Sequence, residues 1–331
     1  MKKLIALMLT LCLLACSACA LAEEELNYNF KIGYTPATLA SEFQTNVYES
    51  LKAACEEKGT ELIMTVDDRD ASKMKTVIDT FVLQGVDMIV DFSVLVEAGS
   101  AIAKDLKKEG VPMLGVDAKY EDGYFFGVDN AGAGNMLGEY AANYAKENCE
   151  GKFDAVQVLY SEANGENVNQ RVRRAAETLV EMGIVDAENI TYTNTSSQGS
   201  ASVDVTYARS LVVDYLTAHP DSKHVAIITY SDEAANAADV AVNSSDRTDD
   251  VAIFSHGCDV AVLRRLQNKE GNIVCSMNYN SKGYGAQILD ACAQILDAQA
   301  KGEEIGEWFY NKIYVVDQSN VWDYYPEAIE G

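Results

Sequence analysis

Between residues 30 and 116, short apolar β-rich runs alternate with stretches whose apolar residues recur every three and four positions. No other feature constrains the fold as tightly. Strands read at residues 30–34, 62–66, 88–92 and 111–116. Between them, Phe43, Val47, Leu51 and Ala54 mark one helical face. Met74, Val77, Ile78, Phe81 and Val82 mark a second, and Ala98, Ala101, Ile102 and Leu106 a third. Gly59 and Gly85 close the first two helices, residues 35–39 with Pro36 read as a loop, and Asp67-Asp68-Arg69-Asp70 stops the second strand. Apolar strands joined by helical crossovers call for a parallel sheet covered on both faces. The alternation then breaks. The run 111–116 presents Asp117 at its carboxyl end, and a second β-rich run, 124–128, follows with no helix between. Asp129-Asn130 then caps a helix carrying Leu137, Tyr140, Ala141 and Tyr144. The break reads as passage from one α/β domain into a second, with Asp117 facing the gap, at the sheet end where α/β folds bind ligands.

The second half repeats the pattern. Strands read at 153–159, 190–192, 224–229, 251–254, 273–276 and 313–316. Helices read over 168–182 and 203–216, in the alanine-rich stretch after Tyr230-Ser231-Asp232-Glu233, around Val262, Leu263 and Leu266, and around Ile288, Leu289, Ile295 and Leu296. Residues 322–325 read as an aromatic tail. At 331 residues the chain has room for two domains, each with its own core.

Lys2 and Lys3, an apolar run over 4–14 and small residues at Ala15, Ala18, Ala20 and Ala22 form a secretory signal, too short to span a bilayer. Two cleavage readings stand. Ala20-Leu21-Ala22 before Glu23 suits a small-x-small site, and Leu13-Leu14-Ala15-Cys16 suits a lipobox with Cys16 as the lipidated residue. The lipobox has the advantage of giving that cysteine a reason. Either way the chain is expected to be exported, to the periplasm or the cell surface.

The formal net charge of −25 becomes −27 once the two lysines leave with the signal. Such a surface repels phosphate backbones and anionic headgroups, which argues against nucleic acid and membrane surface as partners. Cys55, Cys149, Cys258, Cys275 and Cys292 remain after Cys12, Cys16 and Cys19 are set aside. Scattered and without a C-x-x-C, they indicate neither a disulfide framework nor a zinc site, and Cys55, Cys275 and Cys292 sit on apolar faces. His219, His224 and His256 are far apart with no ligand at metal spacing, and no G-x-S-x-G elbow is present, so neither a metal nor an enzyme is expected. Gly132, Gly134 and Gly138 narrowly miss a dinucleotide fingerprint. The third glycine is displaced and no acidic residue ends a strand about 20 residues on, so close helix-to-sheet packing explains them better and no cofactor is expected.

Polar and aromatic residues gather at strand carboxyl ends in both halves: Phe92-Ser93 and Asp117, then Tyr230-Ser231-Asp232, Ser255-His256-Gly257 and Asn278-Tyr279-Asn280. Carboxylates, amides and guanidinium with flanking rings are what a polyol asks for. Each alone serves as well for a cap or a loop; convergence on one cleft is the argument. Arg171 lies in the first turns of a helix following a strand and loop, from which its side chain can reach such a cleft, whereas Arg173 and Arg174 point elsewhere on the wheel.

G-V-P-M-L-G-V-D over 110–117, V-D-N over 128–130 with a glycine-bearing helix behind it, N-Q-R over 169–171, L-T-A-H-P-D over 216–221 and Y-S-D-E-A-A over 230–235 together resemble the periplasmic sugar-binding proteins of the ribose type. The resemblance spans about residues 30–316. The fold is shared with sugar-responsive repressors, but here a signal peptide precedes the first strand in place of a helix-turn-helix. The resemblance implies an α/β fold, a type I periplasmic binding protein of two doubly wound parallel-sheet lobes joined by a three-segment hinge, with hinge closure on ligand held between the lobes. It puts residues 29–128 and 281–311 in the N-terminal lobe and 129–280 and 312–331 in the C-terminal lobe. It further implies a solute-binding protein of an ABC importer, a monomer that delivers a sugar or related polyol to permease subunits. The alternative is a ligand-sensing accessory to a membrane receptor kinase or chemoreceptor. Family positions carry over onto Phe43 as stacking ring, Asp117 as acceptor of paired hydroxyls and Arg171 as donor. The sequence departs at Ala118, where arginine is usual, at Ser231 for asparagine, Gly257 for aspartate, and Asn278 or its neighbour for glutamine. Lys119, Asp232 and Asp259 are candidates to supply the missing groups, and Gln44, Phe92 and Tyr230 complete the expected ligand set. These departures argue against ribose itself, since each unmatched hydroxyl in a closed cleft costs about 1–3 kcal/mol.

Overall fold

The computed structural model describes residues 26–40, 42–196 and 204–329. The signal segment with both cleavage readings, Cys16 and the expected helix start at Val203 lie outside the described residues. The chain divides into two compact units. One comprises the described residues up to Phe126 together with Ser281–Phe309, and the other comprises Gly127–Asn280 together with the described residues from Tyr310 onward. The first and third exchanges thus come two residues before the positions the resemblance implied.

In the first unit, β1 (Lys31–Pro36), α1 (Glu42–Lys58), β2 (Glu61–Met64), α2 (Ala71–Leu83), β3 (Met88–Phe92), α3 (Val96–Glu109), β4 (Met113–Val116) and β5 (Tyr124–Gly127) follow in order. The chain then builds α4 (Asn130–Asn148), β6 (Ala155–Tyr160), α5 (Gly165–Glu181), β7 (Ile190–Asn194), α6 (Val205–Ala218), β8 (Val225–Thr229), α7 (Asp232–Ser244), β9 (Val251–His256), α8 (Val260–Asn268) and β10 (Ile273–Asn278) of the second unit. It returns to the first with α9 (Tyr284–Lys301) and β11 (Trp308–Tyr310), and ends in the second with β12 (Tyr314–Asp317) and α10 (Val321–Tyr324).

Each unit holds a six-stranded sheet, ordered β2-β1-β3-β4-β5-β11 in one and β7-β6-β8-β9-β10-β12 in the other. Strands β1 to β5 pair in parallel, as do β6 to β10; β12 lies antiparallel to β10. In both sheets the order reverses beside the first strand, which leaves a crevice at the carboxyl ends. Strand β1 runs on through Pro36, where a loop was expected. As the strand's last residue Pro36 needs only its carbonyl, which accepts from the Asp67 N–H at 3.2 Å. Strands β9 and β10 likewise extend two residues past the apolar runs, to His256 and Asn278. The three-residue β11 is too short to show a period, and the aromatic tail closes into the single turn of α10.

Helices cover both faces of each sheet. In the first unit, α2 and α3 bury Met74, Ile78, Phe81, Ile102 and Leu106 against Ile89, Met113 and Tyr120. In the second, Val212, Leu216, Ala238, Val242, Leu263 and Leu266 pack over Ile227 and Ile253. Each large aliphatic side chain so buried contributes about 1.5–3 kcal/mol. Asp70 and Asp129 cap α2 and α4 by accepting backbone N–H groups, which secures helix starts directly behind strand ends. The glycines of the near-miss fingerprint let two helices meet. A Cβ on Gly134 would stand 2.6 Å from the Arg171 carbonyl and one on Gly138 2.6 Å from Thr178 Cβ, so the close packing is of α4 on α5 and not of helix on sheet. Cys55, Cys149, Cys275 and Cys292 are buried, Cys258 is half-buried, and all five are free thiols. No described helix is long and apolar enough to cross a membrane.

Candidate functional site

At the carboxyl edge of the first unit, the alternation of β3 and the periodicity of α1 and α9 bring aromatic rings together. Phe43 meets Phe92 edge-on at 6.2 Å and Tyr284 at 5.4 Å, and Tyr284 meets Phe126 at 5.2 Å. Asp117 leaves β4 with φ of 55°, its N–H held by the Phe126 carbonyl at 2.8 Å, and its Oδ1 accepts from the Tyr284 hydroxyl at 3.3 Å. Phe43, Phe92 and Asp117 thus share one neighbourhood, organised by Tyr284. Nothing local in the sequence marks that tyrosine, which stands 167 residues from Asp117. Gln44 and Lys119 are engaged elsewhere. The Gln44 amide accepts from Thr38 N–H at 3.0 Å and donates to the Phe92 carbonyl at 3.2 Å, fixing the loop after β1. The Lys119 ammonium donates to the Tyr120 and Gly123 carbonyls and pairs with Glu307 at 2.9 Å, which holds it to its own turn and to the approach to β11.

The second unit's edge is built around Arg171. Its Nε donates to Asn130 Oδ1 at 2.6 Å, and its guanidinium lies 4.3 Å from the centroid of the Tyr279 ring. The four remaining guanidinium N–H donors have no hydrogen-bond partner among the described residues. Behind Tyr279 a third plane follows, the His256 ring, at 6.0 Å and 11°. Burial, with the nearby Arg171 charge, pushes the His256 imidazole well below the usual histidine range, so it is neutral, and its Nδ1 shares a hydrogen bond with the Tyr279 hydroxyl at 2.7 Å. Asn311 donates its amide to the Tyr279 carbonyl and its N–H to the Gly127 carbonyl at 2.8 Å, which joins the three stretches of chain where the units exchange. Arg173 and Arg174 pair with Glu166 and Glu177, as surface charges do.

The other expected residues of this edge have protein partners. Ser231 caps α7 by accepting from the Ala234 N–H at 3.3 Å. Asp232 is turned inward, almost fully buried. It accepts from the Ser255 hydroxyl at 2.6 Å, the Ser276 hydroxyl at 2.8 Å and the Asp259 N–H at 2.6 Å. Burial raises its carboxyl to about 6 despite those donors. It therefore ties β9, β10 and the following turn together and is not presented to a ligand. Gly257 has φ of 140°, and a Cβ there would meet the Asp232 carboxylate at 3.1 Å, so a glycine is required where an aspartate was expected. Asn278 donates to the Tyr325 hydroxyl and accepts from the Asn280 N–H. Tyr230 is buried beside Thr195. The residues that join Arg171 are thus Asn130, His256 and Tyr279. The last two stood inside the S-H-G and N-Y-N triplets at strand ends, but the signal there did not single them out from their neighbours.

Chemically, one edge offers rings and a carboxylate and the other an oriented guanidinium on a ring face. Among the described residues no three His, Cys, Asp or Glu side chains are placed to hold a metal ion.

Residues 32–301 match the family model of the periplasmic binding protein domain. The ribose import binding protein of Bacillus subtilis strain 168 is 23% identical over 281 residues, covering 82% of this chain and 86% of that protein. An ABC transporter periplasmic-binding protein of Escherichia coli K12, YphF, is 24% identical over 254 residues, covering 74% and 73%. Among solved structures, a periplasmic ribose ABC transporter protein from Conexibacter woesei DSM 14684 superposes with a TM-score of 0.75 at 17% identity, covering 92% and 97%.

Proposed function

We propose, for a chain that belongs to the periplasmic binding protein domain family, that it is an exported solute-binding protein that takes up a sugar or related polyol and delivers it to the permease of an ABC importer. The carrying observation is Arg171. Its Nε is spent on Asn130 and its plane is set by Tyr279, so its terminal donors are oriented before any ligand arrives. Arg171 donates to sugar oxygens, Asp117 accepts from paired hydroxyls and Phe43 stacks on the apolar face of the ring. The relatives named for ribose import or transport support a saccharide as the class of ligand. The departures at Ala118, Ser231, Gly257 and Asn278, where the chain's own backbone and side chains absorb the available groups, favour a saccharide other than ribose. The Leu13-Leu14-Ala15-Cys16 run supports a lipid anchor on Cys16 of a monomeric protein.

The test is the thermal midpoint of the protein against pentoses, hexoses, inositols, nucleosides and amino acids at millimolar concentration. A ligand at about 1,000 times its dissociation constant adds roughly 4 kcal/mol of stability. A rise with one saccharide class, abolished in both Arg171→Ala and Asp117→Ala, is the expected result. A response confined to nucleosides or amino acids refutes the saccharide assignment, and saccharide binding undiminished in both variants refutes the site.

A further inference from the structure

Beneath the first unit's half-site lies a cluster that ligand contact does not use. Asp67, Asp91 and Ser93 are buried. Asp91 Oδ1 accepts from the Ser93 hydroxyl at 2.7 Å, and its Oδ2 accepts from the Ser93 N–H at 3.2 Å and from the Tyr120 hydroxyl. Asp67 Oδ1 accepts from the Arg69 N–H at 2.9 Å. Its Oδ2 accepts from the Thr35 hydroxyl at 3.2 Å and also touches Ser93 Oγ. Serine carries a single hydroxyl hydrogen. Spent on Asp91, it leaves Ser93 Oγ and Asp67 Oδ2 as two acceptors in contact, and that contact becomes a bond only if one of the two carboxyls is protonated.

Tyr120 links the cluster to the site. It lies three residues past Asp117, with its ring pressed on the backbone of one helix glycine and one strand glycine: a Cβ would stand 2.5 Å from it on Gly99 of α3 and 2.8 Å on Gly115 of β4. Gly115 pairs directly with Asp91 across β4 and β3. The turn that presents Asp117, held also by the Phe126 carbonyl and by Ser100 Oγ, is thereby joined to the Asp91 carboxyl through one phenol.

We propose that Asp91 carries that proton, donating it to Ser93 Oγ while the Ser93 hydroxyl donates to Asp67, and that Asp91 and Tyr120 are positioning residues that convey its presence to Asp117, so that ligand affinity falls as the proton is lost. The proposal rests on Asp117 being a ligand residue, as argued above. The groups facing Asp91 are Asp67 from the turn after β2 and Tyr120 from the turn after β4; Tyr34 on β1 feels both Asp91 and Asp117, and α3 brings Gly99 against the Tyr120 ring. No basic side chain is among them. Burial raises the Asp91 carboxyl to about 6, with the Asp67 charge adding to it and the Tyr120 and Ser93 hydrogen bonds opposing.

The experiment is titration calorimetry of the full chain with a hexose, D-allose, between pH 5 and 8. Wild type is expected to bind about tenfold more weakly at the upper end, the effect of one lost proton acting through roughly one pKa unit of coupling. Asp91→Asn, whose amide supplies the hydrogen at every pH, is expected to bind with a flat profile. Tyr120→Phe, which cuts the tether and keeps the ring, is expected to bind weakly and without pH dependence. A flat wild-type profile, or a wild-type slope retained in Asp91→Asn, overturns the proposal. If D-allose binds at no pH, the saccharide reading is tested on its own with the panel above, and the proton is followed by 13C-aspartate NMR. A carboxyl that titrates near pH 6 and vanishes in Asp91→Asn and shifts in Ser93→Ala supports it; a titration unaltered by either variant overturns it.

Discussion

Gly285, the second residue of α9, lies against the backbone of α1. A Cβ there would fall inside the contact shell of the Leu51 N and of the Ser50 carbonyl carbon, and Gly285 N–H also donates to Ser50 Oγ at 2.9 Å. Backbone cannot rotate aside as a side chain does, so Gly285→Ala must part the two helices. A separation of about 1 Å forfeits a quarter to a half of each dispersion well along the seam, where Leu51, Cys55, Ile288, Leu289 and Cys292 are buried. Overpacking of this kind costs about 1–3 kcal/mol, and the strained Ser50 bond adds about 1 kcal/mol. Alanine returns about 1 kcal/mol in helix propensity, leaving a net loss of roughly 1–3 kcal/mol. For a unit of this size that lowers the thermal midpoint by about 2–12 °C. The control is Gly306→Ala, where a Cβ meets nothing within 4 Å; it is expected to stay within about 0.5 kcal/mol of wild type. Differential scanning calorimetry of both variants reads the outcome. Because Tyr284 is the adjacent residue and donates to Asp117, saccharide affinity should fall in Gly285→Ala as well. A midpoint within about 2 °C of wild type refutes the argument that α1 and α9 meet backbone to backbone.

Asp232 carries a signed pH dependence. Its carboxyl rises from 3.8 to about 6 on folding, so its contribution to stability is complete below pH 4 and is lost as pH rises through about 6, a change of roughly 3 kcal/mol. Urea unfolding of wild type and Asp232→Asn from pH 4 to 7 should show wild type losing that amount relative to the variant; a constant difference contradicts it. Tyr279→Phe keeps the ring under Arg171 but leaves buried His256 Nδ1 without its hydrogen-bond partner, an expected cost of about 1–3 kcal/mol in chemical denaturation. An unchanged midpoint would remove the His256 bond from the account. Asn130→Ala frees Arg171 Nε and should weaken saccharide binding about tenfold with little effect on the melting temperature, since it removes orientation and not the donors; equal affinity would show that Arg171 needs no such support.

Much of this was legible in the sequence because it is local. Alternating periods placed strands and helices, glycines closed helices at Gly59 and Gly85, and Asp129 and Ser231 stood where caps are needed. Asp117 and Arg171 stood out as candidates because each follows a strand at the end where α/β units bind ligands, and the acceptor and donor roles expected of them came from the family resemblance. Asp117 and Asp232 show the limit, since both are acids just past a strand's carboxyl end. Asp232 is consumed by hydroxyls of Ser255 and Ser276 that lie 23 and 44 residues further along the chain, and Asp117 by contrast meets a tyrosine from a returning helix. Gln44, Lys119 and Asn278 were likewise claimed by partners no spacing announces. The sequence by itself determined the two α/β halves and the edges of their sheets where polar groups collect, because hydrophobic period and capping act over a few residues. Only the tertiary structure decided which of those groups are spent inside the protein and which remain for a ligand, because a buried carboxylate or amide is satisfied by whatever donors the folded neighbours bring to it, however distant in the chain.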